Sequence, residues 1–472
     1  MYLQNCHASP STVSLAALLA AGGLLIMCQP AVAGPMLESR STDRMAMPNS
    51  LASSTTSPPN LPNELEKYAS AGTLTASSRD PHVATIPRSN TILPPTTTVP
   101  DRKTRLQQPD LIEEQVEELL HSMSLGQKVG QRIISWINDS IVDERTRDLV
   151  TDTMIGGVIL RASNIESSGQ LRLLTAGLQT LAASNDPPIG LLIGMDQEGG
   201  RVARLRPPEV IHMPAAAVWA ARYDANYAES LAYVLSRELQ YHGANLNLAP
   251  VLDLANGPAS SVVGDRAMSA DPQIVAELGA AYVRGATRAG MLVTGKHFPG
   301  HGLTTIDSHH QLPRLEHDRQ GIQSSILPFK AAIEAGLPLI MTAHIFFPQI
   351  DPLFPATFSP IIMRDILRGD LGFSGVLISD AMEMRAISDH YNLREIAKHS
   401  LNAGVDIILL ADHWDPAELH AEMMDLITTG EVEEELVDEG VRRVLRLKLG
   451  IKLIGQGEDH VPANALINSF RR

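Results

Sequence analysis

Eight short apolar runs recur between residues 129 and 410, and helix-favouring stretches separate most of them. They are Val129–Trp136, Val158–Leu160, Ile189–Met195, Leu246–Leu252, Met291–Thr294, Leu339–Thr342, Val376–Ser379 and Asp406–Leu410. Helices are expected between them, for example over Ala225–Tyr241, Pro272–Ala289 and Ser324–Ala335, with a last one over Glu433–Leu449. Strands that alternate with helices in this way imply a parallel sheet. Eight such units over about 340 residues suit a single α/β fold, a (β/α)8 TIM-type barrel with insertions. A chain of 472 residues has room for two or three average domains, but one barrel over 111–455 and a short tail over 456–472 account for it equally well.

The first 110 residues have a different texture. Val13–Met27 is a fifteen-residue apolar stretch, short for a membrane span and suited to a signal-peptide core, with a small-residue cleavage site at Ala31-Val32-Ala33. Residues 1–33 are therefore expected to direct export to the periplasm or medium, although no Lys or Arg precedes Arg40 to supply the usual positive flank. Residues 34–110 are dense in Ser, Thr and Pro and read as a disordered linker, since such a composition buries too little apolar area to offset chain entropy. From Leu111 onward, Ile112, Val116, Leu119 and Leu120 fall at helical spacing.

Apolar residues make up 44% of the chain and charged residues 19%, enough for a real core under a polar surface. The net charge of −15 argues against a general affinity for nucleic acid, whose phosphates call for basic patches. Aromatics at 4% weigh against a long stacking platform for polysaccharide. Both cysteines, Cys6 and Cys28, lie in the N-terminal segment, so the barrel forms no disulfide and holds no thiolate metal site.

A barrel keeps its chemistry in the loops after its strands. Unusual polar residues gather at those points. Ile189–Met195 ends in Asp196-Gln197-Glu198-Gly199-Gly200-Arg201, with Arg204 close behind. Leu246–Leu252 ends at Asp253, and the loop beyond it carries Asp265-Arg266. Leu339–Thr342 leads to His344, and Val376–Ser379 to Asp380. Any one of these is explained by a helix cap or a solvated strand end; five strand ends behaving alike, with the one after Met291–Thr294, are not. The richest segment follows Met291–Thr294, where Lys296 to His309 packs one lysine, three histidines and one aspartate into fourteen positions. Pro299, Gly300 and Gly302 point there to a shaped loop rather than a helix. Asp380 itself has two readings: a carboxylate aimed from a strand tip, as a nucleophile requires, or the N-cap of a helix starting at Ala381.

The run Lys296–Gly302 followed by Asp307-Ser308-His309 resembles the motif of the β-N-acetylglucosaminidases of glycoside hydrolase family 3, which include the NagZ-type enzymes that trim cell-wall muropeptides. Asp196–Val202, Ser379-Asp380 and the segment opening at Met123-Ser124-Leu125 are similar to further family segments. The resemblance implies a retaining exo-β-N-acetylglucosaminidase with no cofactor and no metal. It casts Asp380 as nucleophile and His309 as acid/base, held by Asp307, with Asp196, Arg204, Arg266, Lys296 and His297 binding substrate. Arg266 departs from the pattern, since Ala267-Met268 follows it where the family has Ser and then an aromatic or apolar residue. For Glu198, pairing with a neighbouring arginine is the expected role. An imidazole suits the acid/base task because it titrates near neutrality.

Three other readings compete. A histidine repels incoming phosphate less than a glutamate would, so phosphorolysis of the same glycosyl-enzyme is the runner-up. A broad family 3 β-glucosidase would lack the Asp-Ser-His loop, and a non-enzymatic wall-binding barrel would have lost Asp380 or His309. The expected partner is therefore a carbohydrate, an amino-sugar glycoside such as a muropeptide, met by a monomer with no stable membrane span in its mature form.

Overall fold

The computed structural model describes residues 108–255, 263–411 and 413–454. The expectations for the signal segment, for nearly all of the linker and for the tail from 456 lie outside them. The first helix of the described residues, Gln108–Ser122, starts three residues ahead of Leu111.

Eight parallel strands form one sheet: β1 (Ile133–Trp136), β2 (Gly157–Leu160), β3 (Leu192–Met195), β6 (Leu246–Asn247), β7 (Leu292–Phe298), β8 (Leu339–Thr342), β9 (Val376–Ile378) and β10 (Ile408–Leu410). Neighbours in chain order pair, β1 also pairs with β10, and a parallel bridge between Ile378 and Ile407 closes the ring. The expected barrel is present. β4 (Gln197–Gly199) and β5 (Val202–Ala203) add a small antiparallel hairpin above β3.

The strands are apolar at consecutive positions because both of their faces are buried. Ile134, Ile159, Leu192, Leu292, Leu339 and Val376 point into the barrel, whereas Ile133, Ile193, Val293 and Ile340 pack outward against the helices. The helices Ala225–Tyr241 and Pro272–Ala289 fall where sequence spacing places them, capped by the side chains of Asp224 and Asp271. The helix Glu434–Gly450 seals the N-terminal end of the barrel, inserting Val444 among the inward-facing residues. Arg443 on this helix and Arg368 both reach Asp406, a fully buried carboxylate just ahead of β10, at 2.7 Å.

Three local expectations need correction. Leu246–Leu252 is not one continuous strand: β6 ends at Asn247, and Pro250, which has no N–H to give, separates it from a bridge between Val251 and Lys296. β7 runs on to Phe298, so Lys296 and His297 stand on a strand rather than in a loop. No helix starts at Ala381. The next helix is Arg385–Ser388, and both Asp380 and Glu383 lie in the turn before it.

Candidate active site

The C-terminal ends of the strands open into a cleft of about 750 Å³ whose floor is the top of the barrel core, formed by Leu248, Met341 and Leu409. Every residue singled out as a candidate from the sequence lines it: Asp196, Arg204, Arg266, Lys296, His297, Asp307, His309 and Asp380.

One side is a charge cluster. Lys296, buried on β7, places its Nζ 2.9 Å from Asp196 Oδ1 and 2.7 Å from Glu198 Oε1. Arg204 donates to the other oxygen of Asp196 at 2.8 Å, and Arg266 grips Glu198 with two 2.8 Å bonds. Burial alone would push both carboxyls up and the ammonium down. The opposite charges outweigh it, so Asp196 and Glu198 sit below the usual carboxylate range and Lys296 above the usual lysine range. Glu198 thus has the arginine partner expected of it, and Lys296 as well. The hairpin carrying these acids turns through Gly199 and Gly200, both at positive φ, where an added Cβ would strike Pro214 O and the Ala215 side chain. Arg266 makes this paired contact with Glu198 although Ala267-Met268, both buried, replace the family's usual residues after it.

The other side carries Asp380 and two of the histidines. Asp380 follows β9 and accepts the Ala381 N–H at 2.8 Å. Burial raises its pKa, but the facing His297 and His344 rings and that N–H hold it below the usual range, so the carboxylate is ionised near neutrality. His297 is fixed between two acids: its Nδ1 lies 2.7 Å from Asp253 Oδ2 and its Nε2 3.9 Å from Asp380 Oδ2. His309 is 60% exposed at the cleft mouth, with its Nδ1 2.8 Å from Asp307 Oδ1. The same oxygen accepts the His309 backbone N–H at 2.9 Å. This two-point grip, together with the charge of the ring, holds the Asp307 carboxyl below its ordinary range against the effect of burial. It also leaves Nε2 of His309 as the free end of the ring.

The profile of the glycosyl hydrolase family 3 N-terminal domain matches residues 112–447. The chain belongs to glycosyl hydrolase family 3. This family 3 chain is 37% identical over 325 residues to the beta-hexosaminidase A of Pseudoalteromonas piscicida, a match that covers 64% of this chain and 54% of that protein. To the beta-hexosaminidase of Alkalilimnicola ehrlichii it is 41% identical over 278 residues, 57% of this chain and 77% of the relative. Among solved structures, a family 3 beta-N-acetylglucosaminidase from Paenibacillus sp. str. FPU-7 superposes with a TM-score of 0.68 at 37% identity, covering 71% of this chain and 64% of that one. The chain therefore spans only about half to two thirds of the length of two of these relatives.

The family 3 site also uses residues that sequence reasoning left without a role. Asp253 and His344 were visible only as polar strand ends. Asp253 is completely buried and orients His297, while His344 is held between Thr357 Oγ1 and the Ala381 carbonyl behind the Asp380 turn. Trp136 at the end of β1 lines the cleft with the Arg161 guanidinium stacked 4.6 Å from its ring centre. No local signal marks it, since a tryptophan closing an apolar run reads as core. Glu383, a second carboxylate lining the cleft, accepts the Ala411 N–H at 2.7 Å, and burial pushes its pKa up. It is a poorer nucleophile candidate than the ionised Asp380.

Proposed function

We propose that this chain is a retaining exo-β-N-acetylglucosaminidase that removes terminal N-acetyl-β-glucosaminyl units, with peptidoglycan fragments as its substrate class. The observation that carries the reading is one cleft holding an ionised Asp380 at a strand tip together with a His309–Asp307 pair, beside a charged cluster suited to sugar hydroxyls. Asp196, Arg204 and Lys296 present acceptors and donors to vicinal hydroxyls. Asp380 attacks the anomeric carbon as His309 Nε2–H protonates the departing oxygen, leaving a glycosyl ester and a neutral imidazole. The imidazole then takes a proton from water, whose oxygen attacks the same carbon, breaks the ester and restores Asp380. Two inversions retain the β configuration. His297, fixed by Asp253, supplies a donor to the substrate beside the nucleophile.

Purified protein assayed on aryl N-acetyl-β-glucosaminide and aryl β-glucoside tests the reading: preference for the first supports it, and preference for the second assigns a β-glucosidase. A slow fluorosugar should leave a glycosyl adduct on the peptide containing Ser379-Asp380. An oxazoline product without adduct would transfer the nucleophile's role to the substrate's acetamido group. A glycosyl phosphate formed when inorganic phosphate is added would assign phosphorolysis instead. Export is part of the proposal, and sequencing the mature N-terminus tests it.

A further inference from the structure

Residues 305–311 form the rim of the cleft and are exposed or half-buried, with one exception: Ser308, between Asp307 and His309, is 1% exposed. Its hydroxyl lies 2.8 Å from His301 Nε2, and its carbonyl accepts the Ala386 N–H at 3.1 Å. The two contacts tie the rim to different walls. Ala386 lies six residues beyond Asp380. His301, itself buried, donates its backbone N–H to Asp253 Oδ1 at 2.6 Å, and Asp253 is the carboxylate that orients His297. A continuous path of polar contacts therefore runs from His297, which faces Asp380, through Asp253, His301 and Ser308 to the residue that bears the exposed imidazole.

His301 cannot act on substrate from this position. It is 3% exposed and does not line the cleft, and its Nδ1 is enclosed with no partner among the described residues. With Nε2 committed to Ser308, the ring's one polar contact serves the rim. Gly302 lets this happen: a Cβ there would stand 1.9 Å from the Leu254 carbonyl oxygen, so only glycine brings the backbone close enough to seat His301.

We propose that Ser308, docked on His301, is a positioning residue that holds His309 at a fixed height over the sugar relative to Asp380. The inference rests on the glycosidase reading above. Without this anchor the rim has no buried side chain between Thr304 and Leu312's neighbour Pro313 to fix it. Asp307 would still orient the ring locally, but not its distance from the leaving oxygen.

Ser308→Ala in the full chain tests this on chitobiose and on nitrophenyl N-acetyl-β-glucosaminide, with melting temperature measured in parallel. General acid–base assistance is worth roughly 100- to 10,000-fold, so partial misplacement should lower kcat on chitobiose by about 10- to 100-fold while KM moves by less than about threefold. Sodium azide, a nucleophile that needs no base, should restore turnover of the nitrophenyl substrate by Ser308→Ala. In a His309→Ala background the Ser308→Ala change should cost less than about threefold more, because the group it positions is already gone. An unchanged kcat, an equal loss in both backgrounds or a failure of azide to rescue would each overturn the anchor. A wild-type protein inert on both glycosides would overturn the glycosidase reading along with it, whereas an active wild type and an unaffected Ser308→Ala would overturn the anchor alone.

Discussion

Removing the His309 imidazole should separate the two halves of the proposed reaction. A nitrophenolate leaves without a proton, so His309→Ala is expected to form the glycosyl-enzyme from an aryl substrate at close to the normal rate. Breakdown lacks its base and should slow by roughly 100- to 10,000-fold, giving a burst of nitrophenol in stopped-flow absorbance. With a sugar leaving group the first step slows as well, and the burst should vanish. Equal slowing of both substrates with no burst would remove His309 from the acid/base role. At this scale the sequence was a good guide to which residues meet: all eight candidates line one cleft. It was a poor guide to how they are held. Asp253, Ser308 and His344 act through contacts spanning 44, 7 and 13 positions, and nothing in the local pattern around each residue announces its partner.

Elements were legible where local forces set their ends. Ala225–Tyr241 and Pro272–Ala289 begin after capping aspartates, and the second ends at Gly290 in the left-handed region. β7 was misread because its last residues carry charge, and a buried Lys296 makes sense only once Asp196, a hundred positions away, is beside it. The helix Glu434–Gly450 holds another buried lysine with a measurable consequence. Lys448 is fully buried, its Nζ donating to Gln131 Oε1 at 2.7 Å, and burial lowers its pKa to about 7. An unfolded lysine titrates near 10.4, so between about 7 and 10.4 the unfolded chain holds a proton that the folded chain does not. Stability contributed by this site should therefore rise with pH across that window and stay level below it. Urea unfolding at pH 7 to 10 should show wild type gaining on Lys448→Met as pH rises. Parallel curves would mean that Lys448 stays protonated throughout.

The alternation of strands and helices reported the molecule's architecture well, because a closed parallel ring is one of few ways to bury so many two-faced apolar strands. What alternation does not report is that the ring is solid. Leu248, Met341 and Leu409 both floor the cleft and belong to the barrel interior, which Val444 stoppers from below. The cleft is thus a cul-de-sac. In the proposed reaction a glycan chain is not threaded through it, and each cut unit backs out by the mouth it entered before the next end can seat. On a labelled chitooligosaccharide the protein should therefore let go after every cleavage, so that all shorter oligomers build up together early in the time course. Direct conversion to monomer without those intermediates would require a second exit that the packed floor does not provide.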